Sequence, residues 1–351
     1  MNLASAAAGF ILLLYGTLCH SQETRVRDGQ LDVSADLSYY SSSQNFDANE
    51  GAFEALDAGH SYSEWLLNSQ LDYGWTDRLS TAAGLNIVHA TADDPNFTRS
   101  NSQVRDIYGV LKYRAFSKPF QVYLKTKALI PLFTVDSNSD EVILGDGAIE
   151  AEPSVLVQWP VRSFVPYAEI GYRYRDQGLA TLLTYQAGLL YRSRPLWIKA
   201  FATGFDTLSA DQYTNSPGQR NLVLDRVNAG SLRHYSVDPS VLDAGVQLGI
   251  DLNKQFLLLV GYQTALNGSN YSKGDTFTIG IDIQRAMYSR PSKKSKVRRH
   301  RRTSRETFEP DESQIDETLF EPDPIQEPSP ESNKLNRRLK QIEKELEDSQ
   351  F

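Results

Sequence analysis

Leu31-Asp32-Val33-Ser34-Ala35-Asp36-Leu37-Ser38-Tyr39 alternates apolar and polar residues without a break. Successive side chains of an extended chain point to opposite faces. The stretch therefore puts Leu31, Val33, Ala35, Leu37 and Tyr39 on one face and Asp32, Ser34, Asp36 and Ser38 on the other. A helix would scatter both sets around its axis. The segment is read as a strand with one wet face and one apolar face.

Working outward, the same period recurs in eleven further segments between about residues 60 and 288. The second sets Trp65, Leu67, Leu71 and Tyr73 against Glu64, Asn68, Gln70 and Asp72. The next three have apolar faces at Leu79 to Ile87, Ile107 to Tyr113 and Phe120 to Ile130. Val155 to Trp159, Ala168 to Tyr174, Leu183 to Tyr191 and a segment over 196–208 follow, the last with its parity blurred by Trp197 and Phe201. Leu242 to Ile250, Phe256 to Tyr262 and Phe277 to Ile283 complete the set.

Strands of this length fit a soluble sandwich or a transmembrane barrel with its apolar face in lipid, and the connections separate the two. Segments at 75–78, 116–119, 160–163, 192–195 and 252–255 are tight, while longer polar loops are expected near 41–61, 92–103, 134–147, 209–240 and 267–274. The short link Asp176-Gln177-Gly178 is the exception. Short turns at one end and long loops at the other are the habit of outer-membrane barrels. Aromatics agree: Tyr73, Trp75, Tyr113, Phe120, Trp159, Phe164, Tyr191 and Phe256 lie near the tight turns, and Tyr39, Trp65, Tyr174, Tyr262 and Phe277 lie toward the other rim. Amphipathic rings favour both bilayer interfaces. The expected fold is all-β: a transmembrane antiparallel up-and-down β-barrel of about 12 strands over residues 22–288.

At this point the chain resembles bacterial outer-membrane β-barrels. Leu144-Gly145-Asp146-Gly147 before a strand, with Gly171-Tyr172-Arg173-Tyr174-Arg175 in the next, is similar to a pattern in transporters of the MetA-pathway-of-phenol-degradation type. The resemblance implies a channel or uptake role and carries over no binding residue. Thr278-Ile279-Gly280-Ile281-Asp282-Ile283 looks like the C-terminal signal read by the barrel assembly machinery, although here it does not end the chain.

Composition excludes several classes. The 351 residues have a mean hydropathy of −0.43 and a single Cys, Cys19. After the N-terminus no apolar run approaches the roughly 18 residues of a spanning helix. One Cys excludes an intramolecular disulfide and a multi-Cys zinc or iron–sulfur site. The five His are scattered, so neither a cofactor nor a metal site is expected.

Both ends read differently from the barrel. Residues 1–21 carry the apolar core of a secretory signal peptide, with cleavage after Ser21; acylation at Cys19 is the rival reading, opposed by bulky Leu18 before it. Segment 289–331 is basic and then acidic and Pro-rich, which predicts disorder. Its basic patch is Lys293, Lys294, Lys296, Arg298, Arg299, Arg301 and Arg302. Over 332–351, Leu335, Leu339, Ile342 and Leu346 predict a short amphipathic helix. After Tyr288 the chain holds 14 Lys+Arg and 14 Asp+Glu, so the net −8 resides upstream. An exported basic run points to anionic lipid heads or an acidic periplasmic polymer rather than nucleic acid.

Chemistry in the barrel is sparse. His89, on the outward parity, is the best residue for a Ser–His hydrolase, but the favoured reading of it is an interfacial polar residue. Asp136, Asp140, Glu141 and Asp146 share one loop without the spacing of a calcium site. The inward parity is richer, with Lys112 and Arg114 on the fourth strand, Lys125 and Lys127 on the fifth, and Glu150 and Glu152 on the sixth. Glu169, Arg173 and Arg175 follow on the seventh. Pairing is expected to bring Glu150 near Arg173, Glu152 near Gly171 and Lys127 near Glu152. Such a lumen selects polar or charged solutes; the same charges could instead neutralise one another and close a small barrel.

The expected function is an outer-membrane channel or transporter for small polar or charged solutes, not an enzyme. Expected partners are outer-membrane lipid, the solute, the barrel assembly machinery during insertion and a periplasmic partner for the tail. A structural protein whose barrel anchors the periplasmic tail is the alternative, and a membrane-embedded lipid-modifying enzyme is the third reading.

Overall fold

The structure, a computed structural model, describes residues 28–48, 51–253 and 255–286. The signal segment 1–21, the linker 289–331 with its basic patch, and segment 332–351 lie outside the described residues. Twelve strands close a barrel: β1 (Gln30–Phe46), β3 (Ser61–Gly74), β4 (Leu79–Asp93), β5 (Thr98–Phe116), β6 (Gln121–Pro131), β7 (Glu150–Gln158), β8 (Phe164–Arg175), β9 (Thr181–Ser193), β10 (Leu196–Ser209), β11 (Ser240–Asp251), β12 (Phe256–Ser269) and β13 (Tyr271–Ala286). A three-residue strand, β2 (Phe53–Ala55), pairs only with the end of β1. Successive barrel strands are antiparallel neighbours in space, and β13 pairs with β1 from Gln30↔Ala286 to Phe46↔Tyr271, which closes the twelve-stranded barrel.

Alternation places each face. Leu71, Leu111, Ile170 and Ile279 point outward and are about half exposed or more, the last by 60%. Aromatic pairs, one within a single segment and the others between neighbouring strands, frame this apolar belt. Tyr73–Trp75, Phe120–Trp159 and Phe164–Tyr191 lie at the short-turn end, with ring centres 4.8, 5.5 and 5.0 Å apart. Tyr39–Trp65 and Tyr262–Phe277 lie toward the other rim, at 4.7 and 5.0 Å.

Inward aromatics lie flat on the wall. Tyr108, Tyr167, Phe201 and Trp197 each cover a directly opposed glycine, Gly84, Gly188, Gly245 and Gly249 respectively. A Cβ at any of these glycines would collide with the ring. This also accounts for the blurred parity of β10: Trp197 and Phe201 are large and apolar yet face the lumen, seated over glycines of β11. Gly249→Val should therefore force Trp197 off the wall, at about 1–3 kcal/mol. A lowered urea midpoint for the folded, heat-modifiable form checks this.

The loops differ from expectation at three places. Residues 41–46 continue β1 and 53–55 form β2, while residues 92–103 and 267–274 are mostly strand, joined by turns at 94–97 and at Asn270. Beyond the apolar belt both faces are wetted, so segments such as Ser100-Asn101-Ser102-Gln103 lose their alternation while their backbone pairing persists. Of the long connections that remain, 132–149 and 210–239 fold inward. Val142, Leu144 and Ala229 pack against wall residues Tyr40, Tyr62, Val88, Ala90 and Ala92. The second loop contains a helix that periodicity did not reveal, α1 (Gly218–Val227), whose Leu224 and Val227 are buried beside Ile143. With so few apolar positions it depends on the mouth of the barrel for its packing.

Candidate functional site

Within the barrel lie two polar chambers. The first, of about 410 Å³, sits toward the short turns; the second, of about 250 Å³, lies under the inward loops. Lys127, Arg173, Phe205, Arg233 and Tyr271 border both and form a neck.

The first chamber has unlike walls. Strands β5, β6 and β8 contribute Lys112, Lys125, Lys127 and Arg173, with Glu152 of β7 and Glu169 of β8 set among them, whereas the charges from β1, β3, β11 and β13 are all acidic, Asp32, Asp72, Asp243 and Asp282. Alternation on each strand aims these charges inward, away from the apolar belt. Lys125 Nζ donates to both oxygens of Glu169, at 2.6 and 2.9 Å, and Ser154 Oγ also donates to Glu169 at 2.7 Å. Lys112 is 3.8 Å from Asp72. Arg173 Nε donates to Glu152 at 2.8 Å and is 3.7 Å from Glu150, while Thr184 donates to the second Glu152 oxygen at 2.9 Å. Arg114 faces inward near the short turns, is nearly buried, and borders neither chamber.

One register differs from expectation. Lys127 pairs with Glu152 as read, but Glu150 pairs with Arg175 and Ser154 with Gly171, so Glu152 meets Arg173 rather than Gly171. The cause is the tight turn Arg162-Ser163, with Arg162 at φ 56°, which moves the hairpin's centre by one residue and the pairing by two.

The upper chamber is built from residues that alternation alone does not identify. Arg105 sits in a bulge, where the register with β4 shifts between Asn86 and Ile87, and it turns inward beside Asp106. Glu64, almost fully buried, receives His234 Nε2 at 2.6 Å and Tyr62 Oη at 3.2 Å, with Arg105 at 3.7 Å. Arg175 donates to Asp146 at 2.7 Å and to the Ala180 carbonyl at 2.8 Å. Both inward loops are thus latched to the wall, 132–149 through Asp146 and 210–239 through His234. Tyr235 N–H also donates to Asp146 at 2.7 Å, joining one loop to the other.

Burial alone would raise the Asp146 carboxyl above its ordinary 3.8; Arg175, nearby His234 and the Tyr235 N–H instead hold it down to about 2. A depressed carboxylate stabilises the fold above its unfolded value and loses that contribution as pH falls through its folded one. The Asp146–Arg175 latch should therefore hold from neutral pH down to about 4 and fail toward pH 2. Asp146→Asn should loosen the same loop at pH 7, and protease nicking of segment 132–149 against pH reads both.

The remaining candidates separate. The four carboxylates of the metal reading diverge: Asp136 caps its own turn, Asp140 lies 3.8 Å from Arg226, Glu141 accepts from Asn101 and Asp146 holds Arg175. Among the described residues no three His, Cys or carboxylate groups converge on one point. His89 Nδ1 is 2.6 Å from Ser102 Oγ on the outward face.

By sequence, neither a protein-family model nor a curated protein matches the chain. By structure, the NanC porin covers 72% of this chain and 98% of its own, at 10% identity and a TM-score of 0.42. The translocator domain of the autotransporter NalP from Neisseria meningitidis covers 80% and 96%, at 13% identity and a TM-score of 0.41. An outer membrane channel from Pseudomonas putida F1 reaches a TM-score of 0.54 at 10% identity, over 76% of this chain and 99% of that one. In fold, this chain is similar to that channel.

Proposed function

We propose that the protein is a narrow outer-membrane channel for small polar or charged solutes, constricted by its own loops 132–149 and 210–239. The observation that carries this reading is the first chamber, a polar space of about 410 Å³ with basic and acidic walls inside a barrel whose outer face is an apolar belt. An apolar belt framed by aromatic pairs suits a bilayer, which strands rather than helices would cross here. Walls of unlike sign set a field across the solute path and favour small charged or dipolar solutes. The likeness in fold to a channel, and the resemblance of the Gly145 and Gly171 motifs to uptake proteins, support the same role.

The short-turn end, where β1 begins and β13 ends, is taken as periplasmic, and the tail 289–351 is taken to lie on that side with its basic patch toward anionic lipid heads or acidic polymer. We read the protein as non-catalytic: the His234–Glu64 pair serves to latch a loop to the wall, and His89 sits against Ser102 on the outward face. The inward packing of Val142, Leu144 and Ala229 favours a second reading, a plugged barrel that serves to anchor the tail.

Osmotic swelling of liposomes separates the two. The channel reading expects swelling in small zwitterions and organic acids that slows steeply with solute size. The anchor reading expects liposomes no leakier than empty ones.

A further inference from the structure

The three cations of the neck are not equivalent. Arg173 is neutralised by Glu152 and Glu150. Among the described residues, Lys127 and Arg233 have no carboxylate at ion-pair distance. Each instead rests on an aromatic face: Lys127 Nζ is 4.6 Å from the centre of the Tyr108 ring, and the Arg233 guanidinium is 3.9 Å from that of Tyr40. Such a face holds a cation in place without cancelling its charge. Arg233 also donates to Tyr271 Oη at 2.9 Å, while its buried Nε has no hydrogen-bond partner.

The carboxylates around the neck are committed elsewhere. Glu64 is held by His234, Asp106 by Arg105 and Asn86, Asp146 by Arg175, and Glu152 by Arg173 and Thr184. Glu150 shares Arg173 with Glu152, and Asp243, which accepts from Gln263, borders the first chamber, so Lys127 and Arg233 are distinguished, among the described residues, as the two neck cations without a carboxylate in direct contact. A guanidinium with an unused Nε–H and a lysine facing the same space suit a planar oxyanion.

We propose that the neck is a selectivity subsite that takes the carboxylate of a small organic acid between Lys127 and Arg233, so that such anions pass in preference to cations. This rests on the channel reading above and names its solute class.

The test uses the purified full-length protein in planar bilayers under a potassium chloride gradient, with butyrate as the probe. The native reversal potential is expected on the anion side, and butyrate should reduce the chloride current saturably. Lys127→Gln and Arg233→Gln should each weaken that block by about tenfold, as expected for loss of one charge-assisted contact. The double variant should move the reversal potential toward cations, while Arg233→Lys should keep it on the anion side. Native cation preference, or a block unchanged in the double variant, would overturn the proposal. If the folded protein does not conduct, calorimetric titration of the detergent-solubilised protein with butyrate reads the subsite alone. Binding lost in the double variant would then uphold the subsite and remove the channel, whereas no native binding would overturn the subsite.

Discussion

Replacing Val260 by arginine should cost about 2–4 kcal/mol and impair insertion of the barrel. Val260 lies on β12 between Phe256 near the short turns and Tyr262 at the opposite aromatic rim, and it pairs with outward Ile279. Both are about half exposed or more, so a new guanidinium there would face hydrocarbon at the deepest level of the belt. Midway along the belt the side chain is farthest from either interface, where it could snorkel to water. The control is Gln186→Arg, which borders the first chamber and adds the same charge to a wetted wall. Urea unfolding in lipid vesicles should show a lowered midpoint for Val260→Arg and a near-native one for Gln186→Arg. Equal stability of both variants would mean that the belt does not face lipid.

The second large effect is expected at Glu64. Its carboxylate is almost fully buried and receives His234, Tyr62 and, at longer range, Arg105. Removing one member of a buried charged cluster leaves its partners desolvated and unpaired, at roughly 3–5 kcal/mol. In Glu64→Ala that cost falls first on the latch of segment 210–239, because the barrel wall keeps its ladder of backbone bonds. Protease added outside should then cut within 228–237, and the pore current should become larger and noisier. Glu64→Gln, which keeps an acceptor for His234, should lie between the native protein and Glu64→Ala. A loop as protected in Glu64→Ala as in the native protein would show that apolar packing by Val142, Leu144 and Ala229 alone holds the mouth.

Much of this architecture was legible in the sequence, for a physical reason. Where one face meets an apolar medium and the other meets water, side-chain polarity must follow the strand's period of two. Leu111, Ile170 and Ile279 therefore declare the outside, and Lys125, Glu152 and Arg173 the inside. Legibility fails wherever that constraint lapses. Above the belt both faces are wet, so Ser100 to Gln103 read as loop although they are paired strand. The bulge at Arg105 puts two adjacent residues on one side and defeats parity. His234 reaches Glu64 across 170 residues of chain, and no local pattern encodes such a contact. Helix α1 exposes most of its surface and buries little apolar area, so its sequence has no stripe to find.

Single-channel recording of the purified native protein in planar bilayers tests the central claim most directly. A polar path through the first chamber, narrowed by latched loops, predicts discrete and small conductance steps that grow when Glu64 is replaced by alanine. Protein that is shown to be folded and inserted, yet passes no current before and after that substitution, would contradict the account and leave the barrel as an anchor.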